Sequence, residues 1–505
     1  MTPVTAAGDT RLVRNVWLTI AALVVLRLIA AALTPITFDE AYYWMWSKHL
    51  AGGYYDHPPL VAVVIRLGTM IAGDTELGVR LVSVLLALPM SYAVYRAAEI
   101  LFASARVAAT AALLLNVTLM AAVGTMIVTP DAPLLVASSF VLLFCAKLTE
   151  TGRGAWWLAI GAAVGAALTA KYTAMFFGAA ILIWLLAVPK NRHWLLTPWP
   201  YLGGLVSLAI FSPVILWNAD HHWISFIKQL GRARIEDFRP AYIAELIPTQ
   251  FAFATPLVFI LGVMGLYALI MRRAGTAAGR VLIDVMVWVI VAYFVWHSLH
   301  ARVEANWFAP IYPAFVVAAA AASHLVPWQK REQRTVNVCL RWALPAGILM
   351  FVALIVQANT GWLSLYKRDA TVRSVGVGWR ELADGIEAVR ARVGANCVLA
   401  MDYGTTAWLS FYLPRGTCVQ QAIQRIRWVN FPPPDPQQLA GKLLFVDEAQ
   451  LGLRPYVMSI FGRIEQAAQL TRTRGPLVIE TYALYAVSEP KGAVLDNSPP
   501  PELMR

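Results

Sequence analysis

The chain reads as a polytopic α-helical membrane protein that carries a C-terminal soluble α/β domain. Three observations predict the architecture. Of its 505 residues 59% are hydrophobic and only 14% charged, with a mean hydropathy of +0.60, far too apolar for a soluble protein of this length. Eleven apolar runs succeed one another near 15–34, 78–99, 106–124, 131–148, 156–170, 174–188, 201–217, 251–271, 281–297, 306–324 and 340–358, each approaching the roughly 20 residues that cross a bilayer. The apolar pattern then stops near Gln357, and the remaining chain has the mixed composition of a folded aqueous domain.

The first run could be mistaken for a secretion signal, because Arg11 and Arg14 precede it and small residues close it. It is longer than a signal core and contains Arg27, so an uncleaved anchor is the better reading. Residues 1–14 are then a cytoplasmic N-terminus, and 15–360 a transmembrane domain with large outward loops at 35–77 and 218–250. Basic residues set this orientation. Short inward segments carry Arg96 and Arg106, Lys147 and Arg153, Lys190 and Arg192, then Arg272, Arg273 and Arg280, and Lys330, Arg331, Arg334 and Arg341. Acidic residues gather on the opposite side. The net charge of +12 suits inward loops facing anionic lipid, and no basic-aromatic module for nucleic acid is visible.

Residues 367–490 read as an outward α/β domain, and 491–505, rich in proline, as a disordered tail. Helical spacing places Leu382, Ile386 and Val389 on one face of 379–393, and β-like runs come after it at 397–401, 443–446 and 477–487. Cys145 and Cys339 lie in or beside apolar runs as small packing residues. Cys397 and Cys418 share the outward domain, where oxidation occurs, and their spacing leaves a bridge open. No CxxC pattern exists, so a divalent metal ion would be held by oxygen and imidazole.

The chemistry concentrates on the outward side. Asp39 and Glu40 come directly after the first run and are themselves succeeded by Tyr42, Tyr43, Trp44 and Trp46. One acid there could simply cap a helix; two acids in a segment of aromatics read as an interfacial helix holding carboxylates at headgroup depth. A carboxylate so placed can take a proton from an attacking hydroxyl or amine. Asp56-His57-Pro58-Pro59 comes next, stiffened by its prolines, and suits either a divalent ion or, with the imidazole protonated, a phosphate. Asp131 opens the fourth run and Lys171-Tyr172 interrupts two short ones. The second long loop carries Asp220-His221-His222 and then Lys228, Arg232 and Arg234, a pattern fitting a metal or a phosphate. Glu304 and Asn306 open the tenth run. Outward acids, cations and a candidate metal at lipid depth together suit a lipid-phosphate substrate.

The segments FDEAYYW, YYDHPP, TPDAPLL, KYT, PVILWNADHHW, VEANW, GWREL and DYGTTAWLSFYLP resemble a bacterial membrane glycosyltransferase of the GT-C superfamily. Within it, the branch resembled is that of the protein O-mannosyltransferase-like and aminoarabinose or galacturonic-acid lipid A transferases. The resemblance implies an inverting transfer of a sugar from a polyprenyl-phosphate donor to a lipid, glycan or protein acceptor, in the periplasm, by an enzyme of the inner membrane. It implies Asp39 as the catalytic carboxylate with Glu40 beside it, and Asp131 as an acid of the substrate cavity. Asp56-His57 stands where aminoarabinose transferases carry Glu-Lys, so Asp56 and His221 correspond to residues at the metal, and His57 to a phosphate contact. With the lysine gone, phosphate binding would pass to Lys171, Arg232 or Arg234. The outward domain carries no recognisable catalytic residue. Sugar and acceptor stay open at this level. Two rival classes remain, a transporter or flippase with acids along a midplane path, and a polymerase or ligase of lipid-linked glycans.

Overall fold

The computed structural model describes residues 3–232, 238–363, 365 and 369–498. All eleven apolar runs fall on helices, yet they do not make eleven equal spans. Seven helices among the described residues are long and apolar enough to cross a membrane, and nine segments qualify if two bent pairs each count as one span. The pairs bend by 115° between Tyr172–Ala187 and Pro189–Leu196, and by 105° between Ala241–Phe253 and Pro256–Ile270. Each second member begins on a proline, which cannot continue the preceding helix. Ala105–Val117 and Trp156–Ala170 are shorter. The first stops where Thr118 turns extended and its hydroxyl accepts the Ala121 amide at 3.1 Å, capping a new turn. The second stops at Lys171, also extended.

The segment expected as the first large outward loop is itself folded. After α1 (Pro3–Leu33) come α2 (Phe38–Lys48) and α3 (Leu60–Ala72), and only then α4 (Glu76–Leu85). A capping box starts α2: the Thr37 hydroxyl accepts the Glu40 amide at 3.2 Å, and the Glu40 carboxylate accepts the Thr37 amide at 2.9 Å. The same carboxylate accepts Arg80 Nε at 2.7 Å, Arg80 Nη2 at 2.6 Å and the Val128 amide at 3.0 Å. Arg80 gives its remaining hydrogens to the carbonyls of Ala31, Thr34 and Pro35. Neither side chain of this pair is exposed at all. One buried ion pair therefore joins the end of α1, the start of α2, α4 and the chain entering Asp131–Thr151.

The aromatics expected on the membrane surface are turned inward instead. Tyr42, Tyr43 and Trp46 are buried, and Trp46 stacks on Tyr54 at 4.2 Å. What covers them is the C-terminal domain. Its sheet has the order β2-β1-β3-β5-β4, from β1 (Cys397–Ala400), β2 (Cys418–Gln421), β3 (Leu443–Glu448), β4 (Phe461–Arg474) and β5 (Leu477–Pro490). β1 runs parallel to β2 and β3; β5 runs antiparallel to β3 and β4. The three β-like runs are β1, β3 and β5, and the helix Trp379–Val393 buries Leu382, Ile386 and Val389 as its spacing predicts. β4 escapes sequence reading because Gly462-Arg463-Ile464-Glu465-Gln466 lacks an apolar face; as the edge strand it needs few buried residues. Cys397 and Cys418 oppose each other in the β1–β2 register and are disulfide-bonded.

This domain does not have a core to itself. Trp379, Leu382, Trp408 and Leu444 belong to one apolar cluster with Ile36, Tyr42 and Trp46. Ile36 is the seam: its carbonyl accepts the Gly376 amide at 2.9 Å and Trp408 Nε1 at 3.1 Å, and its amide donates to the Tyr412 hydroxyl at 3.3 Å. The tail expected to be disordered is partly packed. Val494 and Leu495 are buried beside Val457 and Phe461, because their apolar side chains close the open face of the sheet, while 499–505 lie outside the described residues.

Removing one member of a buried ion pair leaves the other charged and unsolvated. Arg80→Ala is expected to destabilise the detergent-solubilised chain by about 3–5 kcal/mol, read as a lowered melting temperature. An unchanged melting curve would refute the anchoring role of the pair.

Candidate functional site

Asp39 and Glu40 are neighbours on α2, and a helix turns successive side chains about 100° apart. With Glu40 sealed against Arg80, Asp39 is forced to the other side, where it lines two adjoining cavities. The larger holds about 890 Å³ and the smaller about 190 Å³. Asp39, Tyr43, His57 and Tyr403 line both, so they form the partition between them. Glu40, expected as a second catalytic carboxylate, is absent from either wall. Its oxygens are used up by Arg80 and two backbone amides, and the acid is structural.

Asp39 makes no ion pair among the described residues; its Oδ1 accepts the Tyr403 hydroxyl at 3.1 Å. Burial pushes its carboxyl up to about 6, while the bond from Tyr403 pulls the other way. Asp56 has the opposite surroundings. It is clamped by Lys228, by Arg427 Nη1 at 2.8 Å and by the Tyr42 hydroxyl at 2.8 Å. Burial alone would raise the Asp56 carboxyl, but Lys228 and Arg427 outweigh it and hold it well below the usual carboxylate range. Lys228 also lies 4.0 Å from the Tyr55 ring, and Arg427 4.6 Å from that of Tyr403.

The expected metal ligands do not fit a cation. Asp56 is already neutralised by two basic side chains, and His221 is stacked on Trp217 at 4.2 Å with its Nδ1 at the Trp217 carbonyl, 2.8 Å away. Among the described residues no group of three His, Cys, Asp or Glu converges on one point. With Asp39 on the same chamber, two carboxylates stand against Lys228 and Arg427, so the cluster is balanced without a metal ion.

A second polar cluster lines the larger cavity. Lys171 Nζ reaches Asp131 Oδ1 at 2.7 Å and Asn306 Nδ2 reaches Asp131 Oδ2 at 2.6 Å, so three distant segments meet on one carboxylate. Tyr172, whose hydroxyl lies 2.7 Å from that of Ser225, and the exposed Glu304 stand on the same wall. Most of the rest is apolar or aromatic, with Leu168, Phe176, Phe211 and Phe294 prominent, joined by Thr129, Thr173, Gln229 and His297. The Arg232 side chain and Arg234 lie outside the described residues.

The structure thus gathers Asp39, His57, Asp131, Lys171, Tyr172, Glu304 and Asn306 on one cavity, and leaves Glu40 and His221 out. Sequence reasoning missed Arg427 and Tyr403, which the C-terminal domain contributes. Tyr403 lay in plain view in DYGTTAWLSFYLP, but nothing in the spacing shows that it would meet a residue 364 positions earlier.

Residues 56–217 match the family model for dolichyl-phosphate-mannose-protein mannosyltransferase. The chain is 25% identical over 357 residues to the lipid A galacturonosyltransferase RgtD of Rhizobium johnstonii, covering 67% of this chain and 72% of that protein. Its fold is that of ArnT from Cupriavidus metallidurans, in a structure bound to undecaprenyl phosphate: TM-score 0.66, 16% identity, 96% of this chain and 99% of that one. The same transferase in its apo state gives a TM-score of 0.65 at 18% identity, over 94% and 98%.

In difference infrared spectra of wild type against Asp39→Asn, the Asp39 carboxyl is expected to titrate near pH 6. Tyr403→Phe removes a bond that favours the ionised form, so the midpoint should rise. A midpoint at the ordinary carboxylate value, or a fall in the Tyr403 variant, would contradict the described environment.

Proposed function

We propose that this chain, a membrane glycosyltransferase of the GT-C type in the branch of ArnT and the protein mannosyltransferases, moves a glycosyl group from a polyprenyl-phosphate sugar to a hydroxyl-bearing acceptor. The observation that carries this reading is one carboxylate, Asp39, making no ion pair among the described residues and standing on the partition between two cavities that His57, Lys171 and Arg427 also line. The ArnT structure holds undecaprenyl phosphate, and RgtD is named for lipid A; both favour a polyprenyl donor and a lipid A-type acceptor here.

In this proposal the acceptor hydroxyl attacks the anomeric carbon of the donor and gives its proton to Asp39. The bond from that carbon to the phosphate oxygen breaks, and its electron pair leaves with the polyprenyl phosphate. Attack and departure on opposite faces invert the anomeric centre. A base works best when its own pKa lies near the operating pH, and a value of about 6 leaves Asp39 ionised yet basic at neutrality. The growing negative charge on the leaving group is met by His57 and Lys171 on the larger cavity and by Arg427 on the smaller one. Asn306 and Asp131 hold Lys171 in place. Tyr172 and Glu304 face the bound substrate from the same wall. The aromatic remainder of the larger cavity suits the first isoprenoid units.

The site faces the periplasm and the chain sits in the inner membrane, on the support of its basic residues and of the Cys397–Cys418 bridge, which requires an oxidising compartment.

Turnover is read as polyprenyl phosphate released from a polyprenyl-phosphate sugar by the purified chain. Asp39→Asn should lower it about 10²–10⁴-fold without lowering the melting temperature, and wild-type activity should fall as pH drops through about 6. Full turnover in that variant removes the base assignment. Lys171→Met should raise the donor KM about 10–100-fold; an unchanged KM would place the phosphate elsewhere. Alkylation of intact cells should leave Cys397 and Cys418 unlabelled until a reductant is added. Labelling without one would argue against the outward face.

A further inference from the structure

A third cavity of about 600 Å³ opens in the C-terminal domain, on the far side of Phe38 and Tyr403 from the larger cavity. Tyr403 lines all three cavities and donates to Asp39, so a single side chain separates this outer space from the proposed base. Phe38 meets Tyr403 edge to face at 5.9 Å, completing that wall.

The lining of the third cavity has a recognisable chemistry. Phe38, Tyr403 and Tyr482 present ring faces and edges, while Asp402, Gln450 and Glu480 present planar groups that accept and donate hydrogen bonds. Gln450 Nε2 bridges Glu448 at 2.9 Å and Glu480 at 3.3 Å, which fixes two carboxylates beside one amide. Asp402 commits one oxygen to the Thr405 amide at 2.8 Å and stays exposed. The buried Arg472 is spent on the carbonyls of Val372, Val375 and Val377. Three carboxylates, Asp402, Glu448 and Glu480, then face two guanidinium groups, Arg472 and Arg373, the latter pairing with no acid among the described residues, so acid stays in excess by one. Such a balance repels phosphates and carboxylates. Aromatic surface for C–H faces with carboxylate and amide groups for neighbouring hydroxyls is what a neutral or amine-bearing sugar requires.

We infer that this cavity binds the saccharide portion of the acceptor and delivers one of its hydroxyls past Tyr403 to Asp39. The inference rests on the glycosyl-transfer reading and adds to it the place on the chain where the acceptor's glycan is held, through its hydroxyls. A peptide that pairs with Leu477–Thr481, the stretch of β5 that β3 leaves unpaired, is the competing occupant that the test separates.

The test uses the full detergent-solubilised chain on an array of immobilised neutral, amine-bearing and phosphorylated oligosaccharides and unglycosylated peptides. Wild type should be retained by neutral or amine-bearing oligosaccharides. The double substitution Gln450→Ala with Glu480→Gln should weaken retention at least about tenfold, the scale of one lost charged hydrogen bond, at an unchanged melting temperature that certifies folding. Equal retention of the variant, retention only by phosphorylated glycans or peptides, or no retention of wild type by any glycan would overturn the inference. Donor turnover is measured separately: wild-type glycan binding with no release of polyprenyl phosphate from any donor would instead sink the transfer reading.

Discussion

The structure depends on a carboxylate that lines neither cavity beside Asp39. Glu40 is fully buried against Arg80, and the pair spends every hydrogen bond it can make on the turn between α1 and α2, on α4 and on the Val128 amide. Such an arrangement tolerates no rotation of α2, because any shift would leave a charge unsolvated. The adjacent Asp39 is therefore presented to the cavities by a rigid element, which a reacting group needs more than it needs strength of binding. Two acids adjacent in sequence divide the labour. One holds the helix; the other faces the substrate space.

A second division separates Asp39 from Asp56. Both are carboxylates lining the same 190 Å³ chamber, but burial raises the first, and two basic partners depress the second. Environment alone has given one residue type two opposite proton affinities, and the second carboxylate positions Lys228 and Arg427. The same clamp explains why a divalent ion is not accommodated at Asp56: the charge it would neutralise is already answered.

The C-terminal domain completes the site instead of decorating it. It buries the aromatics of α2, shares their core and sends Tyr403 and Arg427 back to Asp39 and Asp56. Its docking hub is Ile36, one turn before the acids, so the partition between the cavities and the seam between the domains are built on the same few residues. Any acceptor held by this domain lies close to the reacting centre for that reason.

The membrane class, the eleven apolar runs, the helix 379–393 and the outward charges Asp39, Asp131 and Lys171, which the fold gathers on one cavity, were legible in the chain, because apolar length, periodicity and costly charges beside lipid are local properties. Which acid of the Asp39-Glu40 pair faces the substrate was not, since that depends on an arginine 40 residues away from Glu40. Nor could spacing show that His221 points at its own helix, that Tyr42 and Trp46 face a sheet and not lipid, or that Arg427 reaches Asp56 across 371 positions. Local pattern decides which segments enter the membrane and which side chains are too expensive to be incidental. Partner choice for a buried charge is decided only when distant segments meet, because the energy of an ion pair belongs to the pair and is written in neither residue alone.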